Sequence, residues 1–261
     1  MTIKRSFRWL GNVGLELIVP AALIAAWWIA SLHSTDIYYP PLKEIVETLH
    51  SFWFFAHFGS DAVPTLVHLG IGWAIAVVVG VVVGTVLGLS ELAAEVVKPL
   101  LEFVRSVPIV ALLPIGLLIL GIGPTFQVTV IAFGAVWPVL LNTMDGVGSV
   151  DPILVDLGRS FRIPHRLRLL KITLPAAMPN IVTGMRTSVS IAVSIVIFSE
   201  LMGATSGIGY QILLAQDTFA VAEVWAGVIL LGLLGYLLNV LFRGLEHVLL
   251  RQHRNMSDLQ R

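Results

Sequence analysis

Residues 154–181, LVDLGRSFRIPHRLRLLKITLPAAMPNI, set Arg159, Arg162, Arg166, Arg168 and Lys171 between two long apolar runs. Around this stretch the chain of 261 residues is 57% hydrophobic and 12% charged, whereas about a quarter of a soluble domain is charged. With a mean hydropathy of +0.91, this is the composition of an all-α integral membrane protein. The formal net charge is zero, so no global field points to nucleic acid or an acidic partner, and only the placement of charges informs. Cysteine is absent, which excludes disulfides, iron–sulfur clusters and thiolate chemistry.

A membrane helix needs roughly 20 mostly apolar residues. Upstream of the basic stretch, Leu15–Leu32 is the first span; its apolar run meets no small-residue cleavage site and reads as retained. Pro64–Ser90 is the second span. Ser106–Met144 has no Lys, Arg, Asp or Glu, and at about 1.5 Å per residue it would reach nearly 60 Å, too long for one helix. Gly121-Ile122-Gly123-Pro124 breaks it into roughly Pro108–Leu120, with a start nearer Val97 as the alternative, and Thr125–Asn142. Beyond the basic stretch come Ala176–Met202 and Val224–Phe242, giving about six spans.

Lys and Arg set the orientation. With a cytoplasmic N-terminus, the inner segments hold Lys4, Arg5, Arg8, Lys98, Arg105, the five cations of the basic stretch, Arg243, Arg251, Arg254 and Arg261, and the outer ones only Lys43. Both termini and the basic stretch are therefore expected in the cytoplasm. The outer segment Ser34–Asp61 spaces charged and aromatic residues at near-helical intervals, as a connecting or interfacial helix does. Gly80, Gly84 and Gly88 recur every four residues, the spacing that lets helix backbones approach in lipid. Pro108, Pro114 and Pro138 allow kinks.

No G-x-x-x-x-G-K-[ST] occurs, so this chain has no P-loop for a nucleotide and is not expected to be an enzyme. Neither H-E-x-x-H nor an intramembrane carboxylate pair at helical spacing is present. A transport or scaffold role remains. The lack of intramembrane acids counts against a stand-alone transporter driven by an ion gradient.

Val150–Leu174 is too long for a minimal turn. Asp151 caps a helix start, Val155, Phe161, Leu167, Leu169 and Leu170 supply apolar faces, and Ile163-Pro164 breaks two short helices. Such an element either lies on anionic lipid or inserts into a groove on a cytoplasmic protein.

This stretch resembles the "EAA" loop of permease subunits of bacterial binding-protein-dependent ABC importers. Anchored on Ile172, Leu174 and Pro175, the Glu-Ala-Ala places fall on Asp156, Leu157 and Gly158, and the Gly place on Arg162. RSVPIVALLPIGLLILGIG, residues 105–123, resembles the family's third span. Residues 174–212, with Gly184-Met185-Arg186, Ser199-Glu200 and Ser206-Gly207-Ile208-Gly209-Tyr210, are similar to its nitrate, taurine and aliphatic-sulfonate branch. The resemblance implies a MetI-like permease bundle in the bacterial inner membrane, working with a second copy of itself, two cytoplasmic ATPase subunits that hold ATP and Mg, and an extracytoplasmic substrate-binding protein. No cofactor is implied on this chain.

The domains implied are 1–60, an N-terminal span with the outer segment; 61–255, a permease core of five spans carrying coupling loop 150–175; and a cytoplasmic tail, 256–261. In the loop, Asp156, Leu157, Gly158, Arg159, Arg162, Ile163, Pro164, Arg166, Ile172, Leu174 and Pro175 are the candidate ATPase-docking residues. The loop arginines either pair with acids on the ATPase or touch headgroups. Arg186, deep in its span, contacts an oxyanion, partners an acid or carbonyl on another helix, or snorkels toward the cytoplasm. About 21 Å along the helix axis, Glu200 orders the SGIGY segment, meets the binding protein or is exposed. Ser206, Gly207, Gly209 and Tyr210 form a Gly-rich turn and candidate gate, and Met185, Ser188 and Ser190 are candidates to line the path. The implied cargo is a small oxyanion such as a sulfonate, taurine or nitrate, with vitamin or pyrimidine precursors and aromatic carboxylates in the same branch.

Overall fold

The computed structural model describes residues 18–250. Lys4, Arg5, Arg8, Arg251, Arg254, Arg261 and the tail 256–261 lie outside the described residues, as do residues 15–17 of the first expected span. The described chain is helical: α1 (Ile18–Ser31), α2 (Leu42–Thr48), α3 (Val63–Gly88), α4 (Glu91–Ser106), α5 (Ile109–Leu120), α6 (Pro124–Gly148), α7 (Pro152–Ser160), α8 (His165–Arg168), α9 (Leu174–Gly203), α10 (Ile208–Asp217) and α11 (Val221–Leu249). Wide π-type turns join α2 to α3 (Leu49–Ala56 and Phe58–Ala62) and α8 to α9 (Leu169–Thr173).

Two compact units share the chain. The first takes the chain up to Phe58 with Ile212–Leu230. Trp225 organises it: its ring packs on Trp27 and Tyr39, and its indole N–H donates to the Tyr38 carbonyl at 3.2 Å. The Ser31 hydroxyl accepts from the Leu42 amide at 3.1 Å, tying α1 to α2. The segment Ser34–Asp61 is helical from Leu42 onward but for a bend at His57, with Leu42, Ile45 and Trp53 buried.

The second unit, Gly59–Gln211 with the chain from Leu231, is built on α3, α6 and α9. Lipid removes most of the hydrophobic drive between helices, so close backbone packing must hold them together. A Cβ at Gly80 would lie 2.7 Å from Val139 Cβ, one at Gly84 2.8 Å from Thr143 Cβ, and one at Gly88 2.9 Å from Val147 Cβ. The four-residue glycine repeat is therefore the face on which α3 meets α6. On the other side of α6, Gly184 of α9 sits against the Pro138 carbonyl and Asn142. Leu113, Phe126, Ile131, Ala135 and Ile195 close the core between these helices.

The break at Gly121-Ile122-Gly123-Pro124 is present, with Gly121 and Gly123 at φ +73° and +129°. A second break falls at Pro108, where the sequence reading starts the third span, and separates that span from the alternative start nearer Val97. Val107 takes an extended conformation before Pro108, as a residue preceding proline must, and α4 and α5 diverge by 82°. Leu92, Val96 and Phe103 form an exposed apolar stripe on α4, and Glu91, Glu95, Lys98, Glu102 and Arg105 its opposite face. The 12 residues of α5 rise only about 18 Å, too little to cross alone. Among the described residues four helices are long and apolar enough to span a membrane, or five if the bent pair crosses as one, against the six expected.

Helix runs from His165 to Gly203, 39 residues, through Leu174-Pro175. Pro175 has no N–H for the ladder, and the wide turn Leu169–Thr173 absorbs its ring.

Gly84→Val drives methyl groups into the α6 backbone. It should cost about 1–3 kcal/mol, lowering the thermal unfolding midpoint in detergent. Gly70→Ala, where a Cβ meets nothing within 4 Å, should not lower it.

Candidate functional site

Two clusters of chemistry stand at opposite ends of α9. Leu174 and Glu200 are 26 residues apart, about 39 Å of helix rise.

At the first end, the Asp151 side chain caps α7 by accepting from the Ile153 amide at 2.8 Å. The helix then stops sharply. The Ile163 N–H donates to the Gly158 carbonyl and the Arg162 N–H to the Arg159 carbonyl, both at 2.9 Å, the paired bonds of a Schellman stop. That stop needs a left-handed residue, and Arg162 supplies it at φ +52°. This is the place where the EAA pattern carries Gly, so the departure noted in the sequence costs this turn on the order of 1 kcal/mol.

Gly158 is buried against the Arg168 stem and the end of Ile172, which seats α7 on α8 and the wide turn. Leu174 and Pro175 lie half-buried at the start of α9. What remains outward is mixed in character. Leu157 and Phe161 are exposed, Phe161 to 76%, beside exposed Asp156, Arg159, Arg162, Pro164 and Arg166, with Ile163 half-buried. Asp156 and Arg159 pair at 3.0 Å in the open and contribute little stability there. Behind α7 and α8 a groove of ≈ 890 Å³ runs to Glu91 and Glu95 of α4 and to Asp145 of α6.

At the other end, the chain leaves α9 at Gly203, bends through Ala204–Gly207 and enters α10. The sequence reading made all of SGIGY a turn, but Ile208, Gly209 and Tyr210 are the first turn of that helix. A helix start leaves backbone N–H groups unpaired, and three distant side chains accept from them here. The Gly207 N–H donates to Asp61 Oδ1 at 3.0 Å, the Ile208 N–H to Thr65 Oγ1 at 2.9 Å, and the Gly209 N–H to Glu200 Oε2 at 2.8 Å. Thr65 donates to Glu200 Oε1 at 2.7 Å, and the Gln211 amide to Asp61 Oδ1 at 3.1 Å.

Asp61 is 2% exposed and Glu200 1%, so this is a buried polar latch and not a surface cap. Gly207 is obligatory in it: φ is +126°, and a Cβ would lie 2.5 Å from the Glu200 carboxyl carbon. Ser206 and Tyr210 are half-buried beside it. Glu200 therefore orders the SGIGY segment and is not exposed. Asp61, Thr65 and Gln211 went unread in the sequence; their one local signal is Asp61 and Thr65 on successive turns at the head of an apolar helix.

The remaining path candidates are dispersed. The Arg186 guanidinium lies 3.6 Å from Glu246 on α11, the acid on a neighbouring helix that one reading of it required. Ser188 is fully buried, accepts the Trp73 indole N–H at 2.8 Å and serves helix packing. Met185 packs on the Val147, Ala177 and Ile181 cluster, and Ser190 lines a separate shallow groove with Tyr236 and Arg243. Among the described residues no group of three or more His, Asp or Glu is placed to hold a metal ion.

Glu200→Ala leaves the Gly209 amide without its acceptor and should lower the opening free energy of this segment by about 2 kcal/mol. Hydrogen exchange at Gly209 then accelerates roughly thirtyfold. Arg162→Gly should slow exchange at Ile163, about fivefold for a gain near 1 kcal/mol.

The comparisons with known proteins agree with this arrangement. The chain is 30% identical to the aliphatic sulfonates transport permease protein SsuC of Bacillus subtilis (strain 168), over 90% of this chain and 86% of that one. It is 28% identical to the taurine transport system permease protein TauC of Escherichia coli (strain K12), over 93% and 90%. Among solved structures, an inward-facing form of the MetNI methionine ABC transporter shares the fold, with TM-score 0.62 at 19% identity over 72% of this chain and 94% of that one. Residues 76–254 match the binding-protein-dependent transport system inner membrane component family, and the chain belongs to that family of multi-pass ABC importer permeases.

Proposed function

We propose that this chain forms the translocation path of an ATP-driven importer for a small oxyanion of the sulfonate type, and that α7 and α8 are where cytoplasmic ATPase subunits seat. The observation that carries this reading is the loop itself: a capped, sharply stopped helix, α7, whose exposed residues combine Leu157 and Phe161 with Arg159, packed through Gly158 on α8, which runs without a break into α9. A short amphipathic helix of this kind fills a groove on a partner, and its packing on the α8–α9 helix converts a shift of the partner into tilt of a membrane helix.

In this reading ATP and Mg bind the partner subunits, and two copies of the chain make the path. The loop and both termini face the cytoplasm, as the placement of Lys and Arg favours. The latch faces outward, where a substrate-binding protein delivers its ligand, and Ser206, Gly207, Gly209, Tyr210 and Glu200 form an outer gate. Arg186 is a structural ion pair with Glu246. Sulfonates and taurine enter this reading from the named relatives.

Replacing Asp156–Arg166 by a flexible Gly/Ser linker should leave a membrane-inserted chain that no longer co-purifies with the ATPase of its own operon in detergent. Retention of the ATPase by the linker variant, or no ATPase with the wild type, would return a gradient-driven transporter to the front.

A further inference from the structure

A cavity of ≈ 600 Å³ opens between the α4–α5 bend, α6 and the middle of α9. At one end it reaches Gly134 and Ile109, and Ile195 of α9 fills the space beside Gly134. Its other end reaches Asp145, three residues before α6 ends at Gly148. The cavity therefore lies on the loop side of the core, beyond the latch for anything that enters at the α10 end.

The charges on its wall are Lys98, Glu102, Arg105 and Asp145, which sum to zero but are not equivalent. Lys98 and Asp145 are 3.2 Å apart and neutralise one another. Glu102 and Arg105 stand three residues apart on one face of α4, and among the described residues neither side chain has an ion pair or hydrogen bond. Residues at this spacing are neighbours, about 5–6 Å apart at Cβ. Trp137 and Phe133 of α6 line the same cavity as an edge-to-face pair with centroids 5.5 Å apart.

An uncommitted cation beside an uncommitted anion, over aromatic rings, is complementary to a small molecule carrying both charges a few bonds apart. We propose that this cavity binds a zwitterionic aminoalkanesulfonate on the inner half of the path, the Arg105 guanidinium taking the sulfonate and the Glu102 carboxylate the ammonium. The planar guanidinium offers two parallel N–H donors to a sulfonate edge. An ammonium next to Trp137 gains from the ring face. A simple sulfonate puts its charge near Glu102 with nothing to offset the repulsion, so the same pair that attracts the zwitterion selects against the monoanion. The inference rests on the importer reading and narrows its substrate class.

The chain has no cysteine, so Thr187→Cys places a single thiol on the cavity wall. In the full chain in phosphatidylglycerol nanodiscs, methyl methanethiosulfonate should modify that thiol, and taurine should slow the reaction. Ethanesulfonate, which lacks the ammonium, should protect with about tenfold lower affinity, the loss of one charge-assisted hydrogen bond. Glu102→Gln should erase the difference between the two probes, and Arg105→Gln protection by both. Both residues are exposed, and an unchanged size-exclusion profile checks that the variants fold.

An unreactive thiol, a reactive thiol that neither probe protects, or ethanesulfonate protecting as well as taurine overturns the proposal. So does protection that follows phosphatidylethanolamine content and ignores taurine, since a lipid headgroup with the same two charges then occupies the cavity. ATPase co-purification is scored separately: with it intact, failed protection removes only this site, and its loss removes the importer reading.

Discussion

The structure depends on the contact between α3 and α6. In lipid, two helices gain little from burying apolar side chains that lipid tails would also cover, and dispersion between closely approaching backbones must supply the difference. Gly80, Gly84 and Gly88 permit that approach. It also fixes the rotation of α3, and rotation places Asp61 and Thr65 one turn apart toward Glu200 of α9. The latch is thus a consequence of core packing: a carboxylate and a hydroxyl separated from Glu200 by some 135 residues meet it only because the glycine face sets the register.

Tertiary capping explains why an apolar chain keeps two buried acids. A helix start in a dry environment exposes N–H groups that no water satisfies, and carboxylates are the favoured acceptors at the positive end of a helix dipole. Asp61 and Glu200 each receive an α10 amide, and their remaining oxygens accept from Ser60 and Thr65. The bonds from the Gly207, Ile208 and Gly209 amides to Asp61, Thr65 and Glu200 reach α10 from outside it. They act beside buried Ile208, so the segment is held by polar bonds and apolar packing together.

The parts of this architecture governed by neighbours in sequence were legible in it. The four-residue glycine spacing, the break before Pro124, the Asp151 cap and the break before Pro164 are local rules and appear where the residues place them. Pro108 reads as the start of a span and a place for a kink, but the size of the bend there, 82°, is not legible, because α4 carries enough apolar residues on one face to look like the continuation of a span. The latch was missed because its partners are far apart in the chain and each alone reads as an acid near an interface. Arg162 is instructive in the other direction. The Gly place of the EAA pattern falls on Arg162, and the backbone there keeps the left-handed turn that a glycine would take at no steric cost.

One continuous helix ties these parts together. α9 begins in the wide turn that seats α7 through Gly158 and ends three residues past Glu200, and on its way it carries Thr187 and Ile191 of the cavity wall. The ion pair of Lys98 and Asp145 belongs to the cavity wall and to the groove behind the loop alike, so the two spaces share a partition of one exposed salt bridge. Such a pair contributes little stability, and separating α4 from α6 at that point costs correspondingly little. Under the proposed reading, displacing the loop would tilt α9 against a core held by close glycine contacts, and strain would fall on the salt-bridge partition at one end and the polar latch at the other. Alternating access would then need a rod with a compliant joint near each end, and α9 with its immediate contacts has that form.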